Sequence, residues 1–199
     1  STLVPYDSVA VAKGQFKHFM LKEIHEQPES VIDTMRDRIS FDSGSLNKNA
    51  VPLSKTDIDS IDRIVLIGMG TSLHAAMVGR VWIESLTRIP AEVDNSSEFR
   101  YRDPIVDDRT LVISVCQSGE TADTLAAMQE ASEKRAKQIT ICNYDGTQTT
   151  RIAENTLLMR AGLEIGVAST KTFVCSLVSL LLLSVHIGIN RGTLDSARV

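Results

Sequence analysis

The sequence of 199 residues predicts an α/β fold, in which a five-stranded parallel sheet carries helices on both faces and N-terminal helices precede it. Two observations predict this fold. Five short runs rich in Val, Ile and Leu alternate along the chain with segments of helical apolar spacing. The first and third runs are apolar at nearly every position, which is typical of strands that are covered on both sides. Such alternation is the pattern of wound parallel sheets.

The N-terminal part is predicted to be helical and then polar. Apolar residues recur at helical spacing from Gln15 onward, and Pro28 is expected to end or kink that helix. A second helix is expected to continue as far as Ile39. Residues 41–53 are polar and contain Gly, Asn and Pro, so they are predicted to form a loop.

The wound sheet is predicted to occupy the rest of the chain. Strands are predicted at 63–68, 91–95, 110–116, 138–142 and 156–159. Helices are predicted at 70–88, 96–101, 121–134 and from about 169 to 189. The resulting organisation is a linker at 1–14, a helical segment with a loop at 15–53, and one α/β domain at 54–199.

The composition argues against several classes of function. Hydrophobic residues make up 43% of the chain and charged residues 23%, which are ordinary values for a folded globular protein. The net charge of −4 argues against a nucleic-acid partner. The three cysteines are odd in number and form no Cys-x-x-Cys motif, which favours a reduced, cytoplasmic setting. No spacing of His, Cys or carboxylates matches a metal site, and no cofactor is predicted.

One apolar segment has to be weighed as a membrane span. Residues 173–189 contain no Lys, Arg, Asp or Glu. The segment falls short of the ~18 residues expected of a spanning helix, and three serines and His186 interrupt it. A buried helix that packs against the sheet or a second subunit is predicted instead, with His186 as a core or interface residue and no membrane contact. The N-terminus also lacks the basic flank and the apolar core of a signal peptide.

The junction between the third strand and its helix is the most informative stretch. An apolar run turns there into Gln117-Ser118-Gly119-Glu120-Thr121 and then into a helical pattern. A helix start binds anions because its backbone N–H groups are unpaired and it carries the positive end of the macrodipole. Gly119 would let the backbone approach a ligand, and the hydroxyls of Ser118 and Thr121 can donate to phosphate oxygens. An ordinary N-cap formed by Ser118 is the alternative.

Two other loops combine glycine with hydroxyl residues at a helix start. They are Gly70-Thr71-Ser72 and the stretch 162–169, which ends in Gly-Val-Ala-Ser. Ligands of parallel sheets bind beyond the carboxyl ends of the strands, where such loops meet. The recurrence therefore favours a phosphate pocket. Because a phosphate repels a carboxylate, Glu120 is expected to point away from the pocket and to accept backbone N–H bonds.

These three loops, in this order, resemble the sugar-isomerase domain called SIS. The resemblance is strongest to the isomerase half of the glutamine–fructose-6-phosphate aminotransferase family, also called glucosamine-6-phosphate synthase, and extends over about residues 15–190. It is carried by Lys22-Glu-Ile-His-Glu-Gln-Pro28, Gly70-Thr-Ser72, Ser97-Glu-Phe99, Gln117-Ser-Gly-Glu-Thr-Ala-Asp-Thr124 and Glu164-Ile-Gly-Val-Ala-Ser-Thr-Lys171. The resemblance implies that residues 54–199 form a three-layer αβα sandwich, similar to Rossmann-like and flavodoxin-like folds.

The resemblance also implies a site for fructose 6-phosphate or glucosamine 6-phosphate, with Gln117, Ser118 and Thr121 around the phosphate. The implied phosphosugar site consists of Gly70, Thr71, Ser72, Cys116, Gln117, Ser118, Gly119, Thr121, Val167, Ala168 and Ser169. Family members usually have serine in place of Cys116 and cysteine in place of Met69. A thiol is a weaker donor than a hydroxyl, so one hydrogen bond to the phosphate is expected to be weakened or lost, at a cost of about 1 kcal/mol or more if that bond is charge-assisted.

Enzymes of this family make glucosamine 6-phosphate and glutamate from fructose 6-phosphate and glutamine, in amino-sugar synthesis. The full-length enzymes of this family have two further domains, a glutaminase domain and a second SIS domain. We therefore expect this chain to be a segment of the enzyme or a stand-alone half. It is expected to be inactive alone, with no catalytic residue of its own, and to form a homodimer. Lys171 is expected to flank the site and not to form an imine with the sugar.

Two other functions stay open at the level of sequence. A non-catalytic SIS sensor would bind a phosphosugar and signal to a partner. The change at Cys116 favours that reading, and the motif stretches around Lys22 and Glu164 oppose it. A dinucleotide-binding domain is suggested by Gly68-Met-Gly70, but Leu73 stands where the third glycine of that fingerprint belongs.

Overall fold

A five-stranded parallel sheet forms the centre of the computed structural model, which describes residues 12–47 and 49–195. Residues 1–11 of the predicted linker lie outside the described residues. In chain order the strands are β1 (Ile39–Ser40), β2 (Ser45–Leu46), β3 (Arg63–Gly68), β4 (Ala91–Asn95), β5 (Thr110–Val115), β6 (Lys137–Cys142) and β7 (Asn155–Leu158). The helices are α1 (Phe19–Met35), α2 (Lys55–Asp59), α3 (Gly70–Thr87), α4 (Ser96–Phe99), α5 (Ala122–Glu133), α6 (Gln148–Ile152) and α7 (Lys171–Arg191).

The sheet has the strand order β4-β3-β5-β6-β7, and every neighbouring pair is parallel. Its two faces pack against different helices. In β3, Ile64 and Leu66 belong to a core cluster with residues of α3 and α7, whereas Val65 and Ile67 pack with residues of α4 and α5. Successive strand residues point to opposite faces, so a strand buried on both faces needs an unbroken apolar run. The prediction of a three-layer αβα sandwich with five parallel strands is confirmed.

The predicted boundaries of the wound elements agree with the structure to within a few residues. β3 and β4 have the predicted limits, and β5 ends one residue before Cys116. α7 begins at Lys171, two residues after the predicted start at Ser169. Such small differences are normal at helix and strand ends, where hydrogen bonding fades over a residue or two.

The prediction of two N-terminal helices separated at Pro28 is wrong, because a single helix, α1, runs through that proline. Pro28 has no N–H and cannot bond to the preceding turn. Long-range bonds hold the helix in place. Thr34 Oγ1 donates to the carbonyl oxygen of Met159 at 2.6 Å, and Arg38 donates to that of Leu158 at 2.6 Å. α1 is therefore fixed by the segment around the end of β7, which local spacing cannot reveal.

The predicted loop at 41–53 contains part of a short hairpin, so this prediction needs a correction. β1 and β2 pair antiparallel, with Ile39 opposite Leu46 and Ser40 opposite Ser45. A strand of two residues is too short to show an alternating pattern in sequence. Its pairing follows from the hairpin turn and not from a visible run of apolar residues.

α7 is long and apolar enough to span a membrane by length and composition alone. In this structure most of its residues are buried, and it packs against α3 and α1. Its serine Ser176 bonds back to the carbonyl oxygen of Thr172 at 2.8 Å. His186 Nε2 lies 2.8 Å from the carbonyl oxygen of Leu53, so His186 is a buried, hydrogen-bonded core histidine as predicted.

Two glycines allow α3 and α7 to pack closely. A Cβ on Gly188 of α7 would lie 2.8 Å from the carbonyl oxygen of Leu86 in α3. A Cβ on Gly79 of α3 would lie 2.9 Å from a methyl carbon of Leu180 in α7. The first clash is with backbone, which cannot move without separating the helices. The second is largely with the end of a flexible side chain.

We therefore expect Gly188→Ala to destabilise the protein by about 1–2 kcal/mol, the overpacking cost minus the gain in helix propensity. Gly79→Ala is expected to be nearly neutral, because Leu180 can change rotamer. Urea unfolding of both variants measures the difference. Equal losses in the two variants would contradict this account of the contact.

Candidate functional site

A cavity of about 360 Å³ opens at the carboxyl edge of the sheet, between the starts of α3, α5 and α7. Its lining residues are Met69, Gly70, Thr71, Ser72, Val115, Cys116, Gln117, Ser118, Thr121, Thr124, Val167, Ala168, Ser169, Thr172, Phe173 and Ser176. The structure brings together all the predicted site residues except Gly119. The three loops that were singled out in the sequence therefore meet at one place.

The loop from Gln117 to Thr121 links β5 to α5 and forms one wall of the cavity. Thr121 is the N-cap residue of α5, and its side chain makes no capping hydrogen bond. Ser118 Oγ instead accepts a hydrogen bond from the N–H of Glu120 at 3.2 Å, within the loop. Ser118 is thus not the N-cap of α5, which answers the alternative raised by the sequence. The start of α5 lies at the cavity without a side-chain cap.

Gly119 is required by the packing of its own loop against the start of α6. Its φ is +70°, and a Cβ there would lie 2.2 Å from Thr147 Oγ1 and 2.8 Å from Thr149 Oγ1. The backbone therefore approaches the segment at the start of α6 and not the cavity. The space beside its α-carbon is thus filled by protein, and the approach of the Gly119 backbone to a ligand stays a prediction.

Glu120 points away from the cavity, as its charge led us to expect. Its two carboxylate oxygens accept from the backbone N–H of Gln148 at 2.9 Å and from the side-chain amide of the same residue at 2.7 Å. Glu120 therefore caps α6. The carboxylate of Glu120 thus bonds to the start of α6 and does not face the cavity.

The electrostatics of the cavity come from backbone and hydroxyl groups. Within 12–47 and 49–195, no lining residue carries a charged side chain, and half of the lining residues are Ser or Thr. The N-cap residue of α3, Met69, has no capping side chain either. Two helix starts, those of α3 and α5, thus present N–H groups to a space that has no cation of its own. An anion of modest size is the ligand that such a site stabilises.

Cys116 lines the cavity, but its thiol has partners inside the protein. Sγ lies 3.8 Å from Thr149 Oγ1 and from the carbonyl oxygen of Ile141, and 3.9 Å from Thr140 Oγ1. Burial raises the pKa of the Cys116 thiol. A phosphate would have to compete with these partners for the S–H group.

The sequence analysis missed six lining residues, and some of them carried a readable signal. Thr124 lies three positions after Thr121, and Thr172 and Ser176 lie three and seven positions after Ser169. Thr172 and Ser176 are four residues apart and lie on one face of α7, and Thr124 lies in the first turn of α5. Met69, Val115 and Phe173 have no such signal, because they line the cavity through tertiary packing.

The comparison with protein families agrees with this geometry. The family model described as the SIS domain matches residues 57–186. The chain belongs to the SIS domain family. The matched range contains all five strands of the sheet and every residue that lines the cavity.

SIS-containing relatives with curated names are similar over nearly the whole chain. The chain is 46% identical over 196 residues to a glutamine–fructose-6-phosphate aminotransferase (isomerizing) of Caldanaerobacter subterraneus subsp. tengcongensis, covering 98% of this chain and 32% of the relative. It is 45% identical over 192 residues to the enzyme of that name from Clostridium tetani, covering 96% of this chain and 31% of the relative. The chain thus spans about a third of the length of these relatives.

A solved structure confirms the fold. The C-terminal domain of glucosamine-fructose-6-phosphate aminotransferase from Francisella tularensis is similar with a TM-score of 0.86 and 36% identity, covering 92% of this chain and 51% of that one. The SIS fold and the resemblance to the aminotransferase family that were predicted from the sequence are confirmed.

The SIS match begins after α1, yet one side chain of α1 bonds to the loop that leads to the cavity wall. Glu23 is only 2% exposed, and its carboxylate accepts from the N–H of Ile165 at 2.6 Å and from that of Gly166 at 3.1 Å. A Cβ on Gly166 would lie 2.5 Å from Glu23 Oε2. α1 therefore fixes the backbone immediately before Val167, and Gly166 is needed for that contact.

Lys171 is held by α1 as well. It is buried, and its Nζ lies 2.7 Å from Glu26 Oε2. It is not among the residues that line the cavity. This position beside the site, with the amine paired to a carboxylate, agrees with the flanking role expected from the sequence.

Because its three thiols are buried, the protein is expected to lose free energy of unfolding at high pH. Burial, followed by the nearby Cys116, raises the pKa of Cys142 to about 12, and burial also raises the pKa of Cys175. Unfolded thiols titrate near pH 8.5. Because the folded-state pKa is the higher one, this stability is complete below about pH 8.5 and is lost as the pH rises toward 12.

Removing one thiol should therefore make the free energy of unfolding less dependent on pH. We expect the wild type to lose about 1.4 kcal/mol more than Cys142→Ala between pH 7.5 and pH 9.5, measured by urea unfolding with a reducing agent present. Ile139→Val, which removes a methyl group from the same strand but no thiol, should keep the wild-type slope. Identical slopes for the wild type and Cys142→Ala would refute the account.

Proposed function

We propose that this domain holds the phosphorylated sugar in the isomerase half of a glutamine–fructose-6-phosphate aminotransferase. The reaction converts fructose 6-phosphate and glutamine to glucosamine 6-phosphate and glutamate. The observation that carries the proposal is the meeting of two uncapped helix starts at a cavity whose lining is uncharged. Identity of 46% over 98% of the chain to an enzyme of that name supports the choice of reaction.

The phosphate is assigned to the start of α5. Thr121 and Ser118 line the cavity there and offer hydroxyl donors, and the unpaired N–H groups of the first helical turn add the favourable end of the dipole. Gln117 lines the same wall. The sugar is assigned to the opposite wall, which is formed by Thr71, Ser72 and the residues 167–169.

Binding and orientation are the tasks that we assign to these residues. Proton transfer and imine formation need a carboxylate, an imidazole or an amine at the sugar. The described residues contribute none of these groups to the cavity lining. We propose that further parts of the enzyme, a second SIS domain and a glutaminase domain, supply the chemistry.

A phosphosugar sensor would use the same cavity in the same way. The aminotransferase assignment is preferred because the similarity to enzymes of that name extends through α1 to almost the whole chain. A cytoplasmic location is part of the proposal, in keeping with a biosynthetic reaction on phosphorylated sugars.

Isothermal calorimetry tests the binding site. The wild type is expected to bind glucosamine 6-phosphate and fructose 6-phosphate. Ser118→Ala should weaken binding roughly tenfold or more, because a hydrogen bond to a charged group contributes about 1.5–3 kcal/mol. Ser43→Ala, an exposed change in the turn of the β1–β2 hairpin, is the matched control and should bind as the wild type does. Absence of heat at millimolar ligand would refute the proposed site.

We also propose that the domain forms a homodimer through α3 and α7. Three apolar side chains on these adjacent helices, Met77, Val81 and Leu181, are each 40–56% exposed. Apolar side chains grouped on neighbouring helices are typical of association surfaces.

Light scattering should give a mass of twice 21.8 kDa at micromolar concentration. Val81→Lys is expected to shift the protein toward monomer, because it places a charge in the apolar surface. Ile105→Lys replaces an even more exposed apolar residue, in the loop before β5, and should leave the mass unchanged. A wild-type monomer would exclude the dimer.

A further inference from the structure

One buried carboxylate lies directly behind the cavity wall, and sequence analysis gave it no role. Glu164 is 8% exposed and is not itself a lining residue. Its Oε1 accepts from the N–H of Thr170 at 2.8 Å and from the N–H of Thr172 at 3.3 Å. Its Oε2 accepts from Gln117 Nε2 at 3.2 Å and from the hydroxyl of Thr172. Gln117 and Thr172 both line the cavity.

This arrangement makes the three helix starts at the cavity unequal. The first N–H groups of α7 already have a negative partner in Glu164, whereas α3 and α5 have no capping side chain. A helix start that is neutralised from within no longer attracts an anion. The carboxylate also repels any second negative charge placed beside Ser169, Thr172 or Ser176, and no cation lines the described cavity to offset that repulsion.

A glutamine side chain in place of Glu164 could not accept hydrogen bonds from all of its partners. Each partner that Glu164 is seen to bond, namely two N–H groups, two hydroxyls and the amide of Gln117, donates to it. A carboxylate has acceptor oxygens only, so it satisfies all of these donors. The carboxylate is therefore fixed in place by its surroundings, with its charge beside the first N–H groups of α7 and the amide of Gln117 as its contact with the α5 wall.

We propose that Glu164 determines specificity by making the cavity electrostatically one-sided. Its charge keeps anions away from the α7 end, so the phosphate binds at the start of α5 and only an uncharged part of the ligand fits beside α7. The inference rests on the proposed function and sharpens it. The domain accepts sugars with a single terminal phosphate and rejects those with a second anionic group at the opposite end, such as a carboxylate.

A matched pair of ligands tests this directly. Glucitol 6-phosphate and 6-phosphogluconate have the same carbon chain and differ only at C1, which is a hydroxymethyl group in the first and a carboxylate in the second. Calorimetry on the wild type should show at least about tenfold tighter binding of glucitol 6-phosphate. In Glu164→Gln this ratio should fall to roughly threefold or less.

The ratio separates a role in specificity from a merely structural one. Loss of structure around the site would weaken both ligands equally and leave their ratio unchanged. Glu164→Asp keeps the charge but shortens the side chain, so it should lower both affinities while preserving the preference. Thr172→Val removes one donor to the carboxylate and not its charge, and should also preserve the preference.

The outcomes distinguish this inference from the function on which it rests. A wild type that binds fructose 6-phosphate but shows no preference within the pair overturns the inference alone, and this result needs no variant to fold. An unchanged ratio in folded Glu164→Gln also overturns it. A wild type that fails to bind fructose 6-phosphate overturns the proposed function and the inference together.

Discussion

The parallel direction of all five strands is the constraint on which the rest of this structure depends. After each strand the chain has to cross a face of the sheet and return to the same edge, so the loops that follow β3 and β5 lead to helix starts at one place. The starts of α3 and α5 meet there, and the start of α7 closes the third side. The cavity is therefore a consequence of connectivity, and the residue types at its wall decide what it can hold.

At some helix starts and loops the backbone N–H groups bond to the carboxylate of a glutamate, and at others they have no such partner. Three glutamates make these bonds. Glu120 accepts from the first N–H of α6, Glu164 accepts from the start of α7, and Glu23 accepts from the loop that leads to α7. None of the three lines the cavity. The N–H groups at the starts of α3 and α5 have no such partner, and they lie at a cavity lined largely by hydroxyls. The cavity is therefore electrostatically uneven. Buried carboxylates lie behind one part of its wall, and the positive ends of two helix dipoles lie at another part.

The loop Gln117–Thr121 is positioned by residues that do not line the cavity. Thr149 of α6 approaches Gly119 so closely that no side chain fits, and its hydroxyl also lies near the thiol of Cys116. α6 contributes no residue to the cavity lining, yet it sets the position of the loop that does. α1 plays the corresponding part on the other side through Glu23 and Glu26, although it precedes the range that matches the SIS family. The residues that position the cavity wall thus extend well beyond those that line the cavity.

The sequence alone determined the five strands of the sheet, the main helices between them and the three loops at the cavity, because apolar periodicity and glycine-hydroxyl turns are local signals, and the family resemblance supplied the ten predicted residues that line the cavity. The continuous run of β3 and the turn at Gln117–Thr121 each required only their own neighbours to be recognised. What depended on distant contacts was decided by tertiary structure alone. The helix through Pro28 is tied to the chain near the end of β7 by Thr34, and by Arg38 just beyond its last turn, and Gly119 is needed because Thr147 and Thr149 lie against it. The position of Glu164 behind Gln117 is of the same kind: 47 residues separate the two side chains along the chain, and only the folded sheet brings their charges and donors within a few ångströms.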